Sequence, residues 1–495
     1  MLNADNAPQR GPYSRRDVLR FCPNLGSSPG SVKPARRYPQ PSEWRAHPIF
    51  MPKLMFLVAV VAGLACHSTI STSASPAEWV RANPAAPTYE LRNGRWLVGD
   101  SFEERTWYAV HGVLRRERPA LVDSVIDLQQ RFILPPFGDA HNHMLGSPGS
   151  LDPFRDQYVA EGSFYVQVMG NRKTAADRIR SQFNTACTLD VVWADGVLTA
   201  TLGHGFENAE SKAMGIFDLQ TALRTRGADL QASRIAENDA YWFIDSLADL
   251  DRKWPAIVAN RPDVLKIMLV FSSDSAERTS WADSAWYVHG LRPALVPNIV
   301  RRAHAAGLRV AAHVDTAHDF EVAARAGADV LAHSVGYGIP EGREADFRIS
   351  DAVARLVAEH DAVVIPTAAV EADFRKPADS AGLARDLAVQ RENLGLLSRY
   401  GVRVAVGPDM YGSTARREID ALRRLGVWDD RTLLRLWYEV TPRSIFPGRR
   451  IGRLAEGYEA SFIALSRNPL EDLTAVDSIA LRMKQGCLLR KLSGG

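Results

Sequence analysis

The sequence predicts an α/β protein built on a (β/α)8 TIM barrel, with a small β-rich domain beside it. Three observations carry this. From residue 135 onward, short apolar strands alternate with helical periodicity. Helices in the second half repeatedly stop at a glycine, and a strand follows. Eight such strands fit within roughly 300 residues, the size of a barrel of this kind.

The elements follow in chain order. Residues 89–98, 106–113 and 120–126 alternate apolar with polar and are separated by turn residues, which predicts a small sheet. Barrel strands are expected at 131–134 running on to 143, at 163–168, at 188–192 extended to 201, and at 264–270. The second half is clearer. Helix 295–306 ends at Gly307 before strand 308–313, and helix 320–326 ends at Gly327 before strand 329–333. Helix 351–360 precedes strand 362–367, and helix 393–400 ends at Gly401 before strand 402–406. The inserts 171–185 and 205–260 carry no assigned element.

Composition narrows the function. The chain is 46% hydrophobic and 24% charged, which excludes intrinsic disorder, collagen and coiled coil. Its net charge of +3 arises in residues 1–50, which hold eight basic and three acidic side chains, and the remainder sums to −2. No domain-wide basic face speaks for nucleic acid. Cys22, Cys66, Cys187 and Cys487 stand singly without a CxxC pair. This spacing predicts neither a disulfide framework nor a thiolate zinc site, so any metal must rest on histidine and carboxylate.

No apolar run is long enough to span a bilayer. Met51, Pro52 and Lys53 followed by the apolar run 54–66 read as an export signal starting at Met51. Residues 1–50 then precede the start codon or form a disordered extension. The segment Gly63-Leu64-Ala65-Cys66 resembles a lipobox with its leucine displaced by one position, and 67–85 is a Ser/Thr/Pro-rich linker. Two outcomes stay open: a lipid anchor at Cys66, or a periplasmic protein cut near Ala74. Both place the mature protein outside the cytoplasm of a bacterium.

Chemistry gathers at the strand ends. His141 and His143 are two residues apart on an extended chain, so both imidazoles project to one side and can grip one ion. An HxH alone is weak and could be a surface pair. Here it follows the apolar 132–136 and precedes His313 and His333, each at the end of a later strand. Either of those alone would more often be a hydrogen-bonded core histidine. Lys266 sits in the apolar run 264–270, where an unpaired ammonium is costly. Asp409 follows a glycine-terminated strand, where its bland role would be a helix N-cap. His204, Tyr337 and Tyr411 follow strand ends and are candidates for binding substrate, or for structure. The segment 281–287, which holds Trp281, Trp286 and Tyr287, is a candidate aromatic lid or rim packing.

At these residues the chain resembles the metal-dependent amidohydrolase superfamily, in its imidazolonepropionase-like and prolidase-like branch, from about Tyr89 to Gly486. The resemblance implies HxH on strand 1, a carboxylated lysine on strand 4, histidines on strands 5 and 6 and an aspartate on strand 8, and all six positions are filled. It implies two divalent ions, with Zn2+ suiting the nitrogen and oxygen donors. His141, His143 and Asp409 would hold one ion, and His313 and His333 the other. Carbon dioxide, as the carbamate on Lys266, and a water-derived hydroxide would bridge them, with Asp409 as general base.

The tail 451–472 resembles the family's closing segment, which returns to the N-terminal sheet. There are departures: Pro135-Pro136-Phe137-Gly138-Asp139 replaces a more usual Pro-Gly-Leu-Ile-Asp, Pro408 stands where Thr or Ser commonly precedes the aspartate, and Ser461 replaces a frequent Asp. The implied organisation is a leader at 51–66, a composite β-sandwich from 86–131 and 448–495, and a hydrolase barrel at 132–447. The implied activity is hydrolysis of a small-molecule amide, cyclic amide or dipeptide. The alternatives are an ester or lactone hydrolase on the same site, and a tethered binding lipoprotein without turnover. Oligomeric state is not specified by the sequence.

Overall fold

The computed structural model describes residues 78–273, 289–370 and 379–489. The predicted leader, including Cys66 and Ala74, and the aromatic segment 281–287 lie outside the described residues. Among the described residues, no helix is long and apolar enough to cross a membrane.

The fold is mixed α/β. A parallel seven-stranded sheet runs in the order Tyr241–Phe243 (β10), Val197–Thr199 (β9), Leu265–Met268 (β11), Val310–His313 (β12), Val330–Ala332 (β13), Val363–Ile365 (β14) and Arg403–Val404 (β15). A second parallel sheet joins Phe137–Asn142 (β6), Ser163–Val168 (β7) and Asp190–Trp193 (β8). Nearly all of these strand residues are buried, so they read as short continuous apolar runs rather than alternating ones, as expected where helices cover a parallel sheet. Backbone hydrogen bonds link the two sheets. Asp263 N donates to Trp193 O at 2.9 Å, while Ala140 N donates to Val406 O at 2.8 Å and Asp409 N to His141 O at 3.0 Å.

Each of the eight expected strand positions holds strand here, but the first is corrected: Phe132–Leu134 joins the sheet built from the chain ends, and only Phe137–Asn142 enters a parallel sheet. The helices flanking the second half are Val296–Ala305, Ala317–Ala326, Asp351–Glu359 and Ser380–Arg399. The last differs from expectation: it begins at Ser380, well before residue 393. Its buried face carries Asp386, Gln390 and Asn393, which bond the backbone of 336–347, and these polar residues mask the apolar period that would have revealed the helix. The insert 205–260 contains helices Phe206–Ala213, Leu219–Ala232 and Leu247–Ala259, together with β10.

An eight-stranded sheet is assembled from both ends of the chain. Tyr89–Val98 (β1), Ser101–Val110 (β2), Val113–Arg115 (β3), Ser124–Asp127 (β4) and Phe132–Leu134 (β5) join Phe462–Leu465 (β16), Ile479–Lys484 (β17) and Cys487–Leu488 (β18). The contact between the halves is β5 against β16, antiparallel. Trp96 packs against Trp107 and Phe462, with ring centroids at 6.0 and 5.3 Å, so the N- and C-terminal segments share one core.

The cysteine expectation is corrected: Cys187 and Cys487 form a disulfide across 300 residues. Spacing could not show this, because the pair meets only once β18 docks beside the segment leading into β8. Nearby, Arg449 bridges Asp190 and Glu459 at 2.7 and 2.6 Å, and Lys484 Nζ lies 3.0 Å from Asp190, all four side chains being fully buried. Covalent and ionic ties therefore join the mixed sheet to β8. Opening the disulfide, by reductant or by Cys187→Ser, is expected to lower unfolding stability by about 2–4 kcal/mol. Denaturant titration would check this; a midpoint insensitive to reductant would mean that the buried charges alone hold the junction.

Candidate active site

The six metal-type residues lie on five strands whose C-terminal ends converge. His141 is inside β6 and His143 just beyond it, while Lys266 is the second residue of β11. His313 ends β12, His333 follows β13, and Asp409 lies past β15. Close approach of β6 to the last strand segment requires glycine at 407, since a Cβ there would stand 2.3 Å from His141 N. Pro408 does not loosen Asp409, whose N–H is held by His141 O. His333, Thr367 and Asp409 all have positive φ, at 110°, 54° and 51°, which is backbone strain of the kind concentrated at functional sites.

The donor atoms converge on Asp409. Its Oδ1 lies 2.8 Å from His143 Nε2 and 3.2 Å from His141 Nε2, and its Oδ2 lies 3.5 Å from His333 Nε2. Ligand atoms of His141, His333 and Asp409 all fall within 4.8 Å of one another. His313 Nδ1 lies 2.7 Å from His333 Nε2. The structure thus gathers the HxH, His333 and Asp409 into one group, with His313 touching it through His333.

Protonation favours metal binding. Burial takes His141 down to about 3, against the pull of Asp409, and holds His313 below and His333 well below the usual imidazole value. These rings are neutral at ordinary pH, which is the ligating form. Two rings of the group are held at the outer nitrogen: Gly170 O accepts from His143 Nδ1 at 3.2 Å, and Thr367 Oγ1 lies 2.7 Å from His333 Nδ1. With a proton on Nδ1, the neutral His333 ring turns its Nε2 lone pair toward Asp409. Burial raises the pKa of Asp409, but the neighbouring His141 and His143 outweigh it and hold the carboxyl well below its ordinary range. Lone pairs facing a carboxylate repel, and a shared cation converts that repulsion into attraction. The donor set therefore fits a divalent ion, with the oriented outer contacts such a site needs.

Lys266 Nζ is buried without a hydrogen-bond partner. Burial lowers it to about 8, opposed by Asp409, and its charge in turn depresses His141, His313 and His333. Among the other candidates, His204 stacks 4.7 Å from His313, and Tyr411 lies 5.5 Å from His143. Tyr337 points elsewhere: its hydroxyl donates to Pro366 O and lies 2.9 Å from Thr367 Oγ1, which makes it a support for the loop behind His333.

Sequence reasoning gave no role to several buried carboxylates that frame the site. Asp139 accepts from Tyr158 Oη, Asn142 Nδ2 and Ala415 N, tying β6 to the N-terminus of helix Ala415–Leu425; burial pushes it up to about 8. Glu418 on that helix accepts from Ala368 N and Ala369 N, fixing the turn after Thr367, and burial likewise pushes it up to about 8. Asp319 accepts from Ser272 N and Thr316 N, joining the ends of β11 and β12. The only sequence signal for Asp139 is its place two residues before His141.

No family model matches the chain, and no curated protein matches it. Solved structures do. The chain is similar to the A. niger ochratoxinase at 19% identity and TM-score 0.62, covering 81% of this chain and 95% of that one. A prolidase complexed with N-methylphosphonate-L-proline gives 20% identity and TM-score 0.57, covering 81% and 99%. A structure described as an amidohydrolase gives 21% and 0.59, covering 82% and 100%. The structural neighbours thus include proteins described as an amidohydrolase and as a prolidase, and the chain shares their fold.

Proposed function

We propose that this protein is a metal-dependent hydrolase of a carbon-nitrogen bond in an amide, cyclic amide or dipeptide. The observation that carries the reading is the convergence of His141, His143 and His333 on the Asp409 carboxylate at strand C-termini, beside a buried, unpartnered Lys266. We read β6, β7, β8 continued by β9, and β11 to β15 as the eight strands of one closed (β/α)8 barrel within 132–447, and the mixed sheet, which β5 joins from 132–134, as a composite β-sandwich domain of 86–131 and 448–495. Solved structures of this fold described as prolidase and as phenylurea hydrolase support the bond class.

His141, His143 and Asp409 would hold one divalent ion, and His313 and His333 a second, with carboxylated Lys266 between them. Zn2+ suits these donors. Such ions supply water activation near neutral pH and polarisation of the scissile carbonyl. The chain's own residues supply the rest. Gly170 O and Thr367 Oγ1 hold His143 and His333 in the ligating orientation. The ionised Asp409 carboxylate takes the proton released as water attacks and returns it to the leaving nitrogen. Esters and lactones meet the same requirements and are the second reading for the reaction. A binding lipoprotein without turnover leaves Asp409 and Lys266 unexplained.

The full chain is expected to carry close to two transition-metal ions per molecule and to hydrolyse at least one member of a panel of N-acyl amino acids, dipeptides, cyclic imides and lactones. Elemental analysis of undialysed protein, run with the panel, tests this. A stoichiometry at or below one, unchanged by zinc and bicarbonate, would remove the two-ion arrangement.

We also propose an extracytoplasmic location, periplasmic or tethered at Cys66. The Cys187–Cys487 disulfide supports it, because such bonds persist in oxidising compartments. Expression from Met51 should give a processed, exported protein; if Cys66 is acylated, a fatty-acid label appears on the parent and vanishes in Cys66→Ser. Normal export without label would leave cleavage near Ala74.

A further inference from the structure

His313 and His333 face each other across the site, with Nδ1 of the first 2.7 Å from Nε2 of the second. Each ring is contacted on its far side by groups from its own strand end. On the His333 side the hydrogen-bond chain fixes which nitrogen carries the proton. The Tyr337 hydroxyl donates its one proton to Pro366 O, a carbonyl that can only accept. Thr367 Oγ1, 2.9 Å from the Tyr337 oxygen, then donates to it and is left to accept from His333 Nδ1 at 2.7 Å. His333 therefore holds its proton on Nδ1 and turns an Nε2 lone pair toward His313.

The turn that carries Thr367 is held in a costly shape. Its φ of 54° is a left-handed conformation unfavourable for a β-branched residue, and Glu418 fixes the turn by accepting from Ala368 N and Ala369 N. On the other ring, Asp315 Oδ1 lies 3.4 Å from His313 Nε2, slightly beyond an ordinary hydrogen bond, and Nε2 makes no hydrogen bond elsewhere. Asp315 is buried two residues before helix Ala317–Ala326. That helix is capped by Thr316 and Asp319, which bond each other reciprocally, so its start does not require the Asp315 carboxylate. The Asp315 N–H donates to Asp319 Oδ2 at 3.3 Å, which keeps the residue beside the end of β12.

We propose that Asp315 is a positioning residue that sets the metal-binding tautomer of His313, drawing its proton to Nε2 while Thr367 draws that of His333 to Nδ1, so that both facing nitrogens present lone pairs. Two lone pairs 2.7 Å apart repel, and a divalent ion lying on both turns that repulsion into attraction. Asp315 thus raises ion affinity through His313, as a carboxylate behind a ligating imidazole does. The other tautomer of His313 would work against the ion. Its Nδ1 proton would bond His333 directly and occupy both ligand atoms, while its Nε2 lone pair would face the Asp315 carboxylate in a buried site where repulsion is poorly screened. The consequence for ion binding rests on the metal-dependent reading. The proton positions do not.

The test uses full-length protein carrying isotopically labelled histidine, because protonated and bare ring nitrogens differ strongly in nitrogen chemical shift. Signals lost in His313→Gln and His333→Gln assign the two rings, and zinc affinity is measured on unlabelled protein by chelator competition. After chelator treatment the parent should show the proton of His313 on Nε2 and that of His333 on Nδ1. Asp315→Ala should move the His313 proton to Nδ1 and weaken zinc binding roughly 10- to 100-fold. Asp315→Asn, whose amide oxygen can still accept from Nε2, should keep the parent tautomer and most of the affinity. Thermal melts report the folding of both variants separately. A His313 proton on Nδ1 in the parent would overturn the role of Asp315 without recourse to any variant, and so would parent-like zinc affinity in Asp315→Ala. The stated tautomers in a parent that binds no zinc would instead overturn the metal-dependent reading and leave the proton positions standing.

Discussion

Asp409→Asn is expected to lower turnover by at least about 10²-fold while most of the metal stays bound. The carboxylate sits where three histidines converge, and its neighbours keep it ionised far below neutral pH, so it is available to receive a proton whenever substrate is present. The amide has nearly the same shape. Its oxygen can still face an ion, and the His141 O contact, which involves only the backbone N–H of residue 409, is untouched. What disappears is basicity, and loss of a general base costs about 10²- to 10⁴-fold. Turnover measured beside metal content separates the roles. A variant as fast as the parent would show that another group takes the proton, while parallel loss of metal and rate would make Asp409 chiefly a ligand.

The parts of this site visible in the sequence are those fixed by local rules. Strand ends are marked by glycine stops, as at Gly327 before β13, so His313 and His333 could be placed at C-terminal ends before their neighbours were known. The HxH spacing likewise dictates that both rings face one way, and both reach Asp409 Oδ1. The unread parts are relations between distant segments. Asp139 joins Ala415, Glu418 joins Ala368, and Cys187 joins Cys487, and none of these partners is within reach of a local pattern. The first half of helix Ser380–Arg399 carries no legible apolar period because Asp386 and Asn393 are buried polar groups satisfied by backbone far away in sequence.

Burial keeps the histidines neutral, while the framing carboxylates order the segments that carry them. Asp139 and Glu418 are raised to about 8 and are therefore largely protonated at neutral pH, so they organise β6 and the turn after Thr367 without adding full negative charge beside Asp409. Asp409 is thus left as the principal anion among three neutral rings and one amine. Such a group is short of positive charge once Lys266 is neutral, and that shortage bears on the lysine itself.

Lys266→Ala is expected to lose metal and activity together, and acetate or propionate to restore part of both. The amine is buried at the centre of the histidine group, has no hydrogen-bond partner, and is lowered to about 8 by burial. At that value roughly a tenth of it is neutral at pH 7. The neutral amine would attack carbon dioxide, forming a nitrogen-carbon bond and releasing one proton. The product would exchange a cation for an anion with two oxygens. That exchange would remove the positive charge now depressing His141, His313 and His333, and would add two oxygen donors to the group. Removing the side chain deletes those oxygens and leaves a space that a short carboxylate can enter. A purely structural lysine predicts otherwise: Lys266→Ala would cost stability, and the folded fraction would keep its metal and its rate. Bound metal per folded molecule, measured with and without acetate, distinguishes the two, and full retention without acetate would end the carbamate assignment.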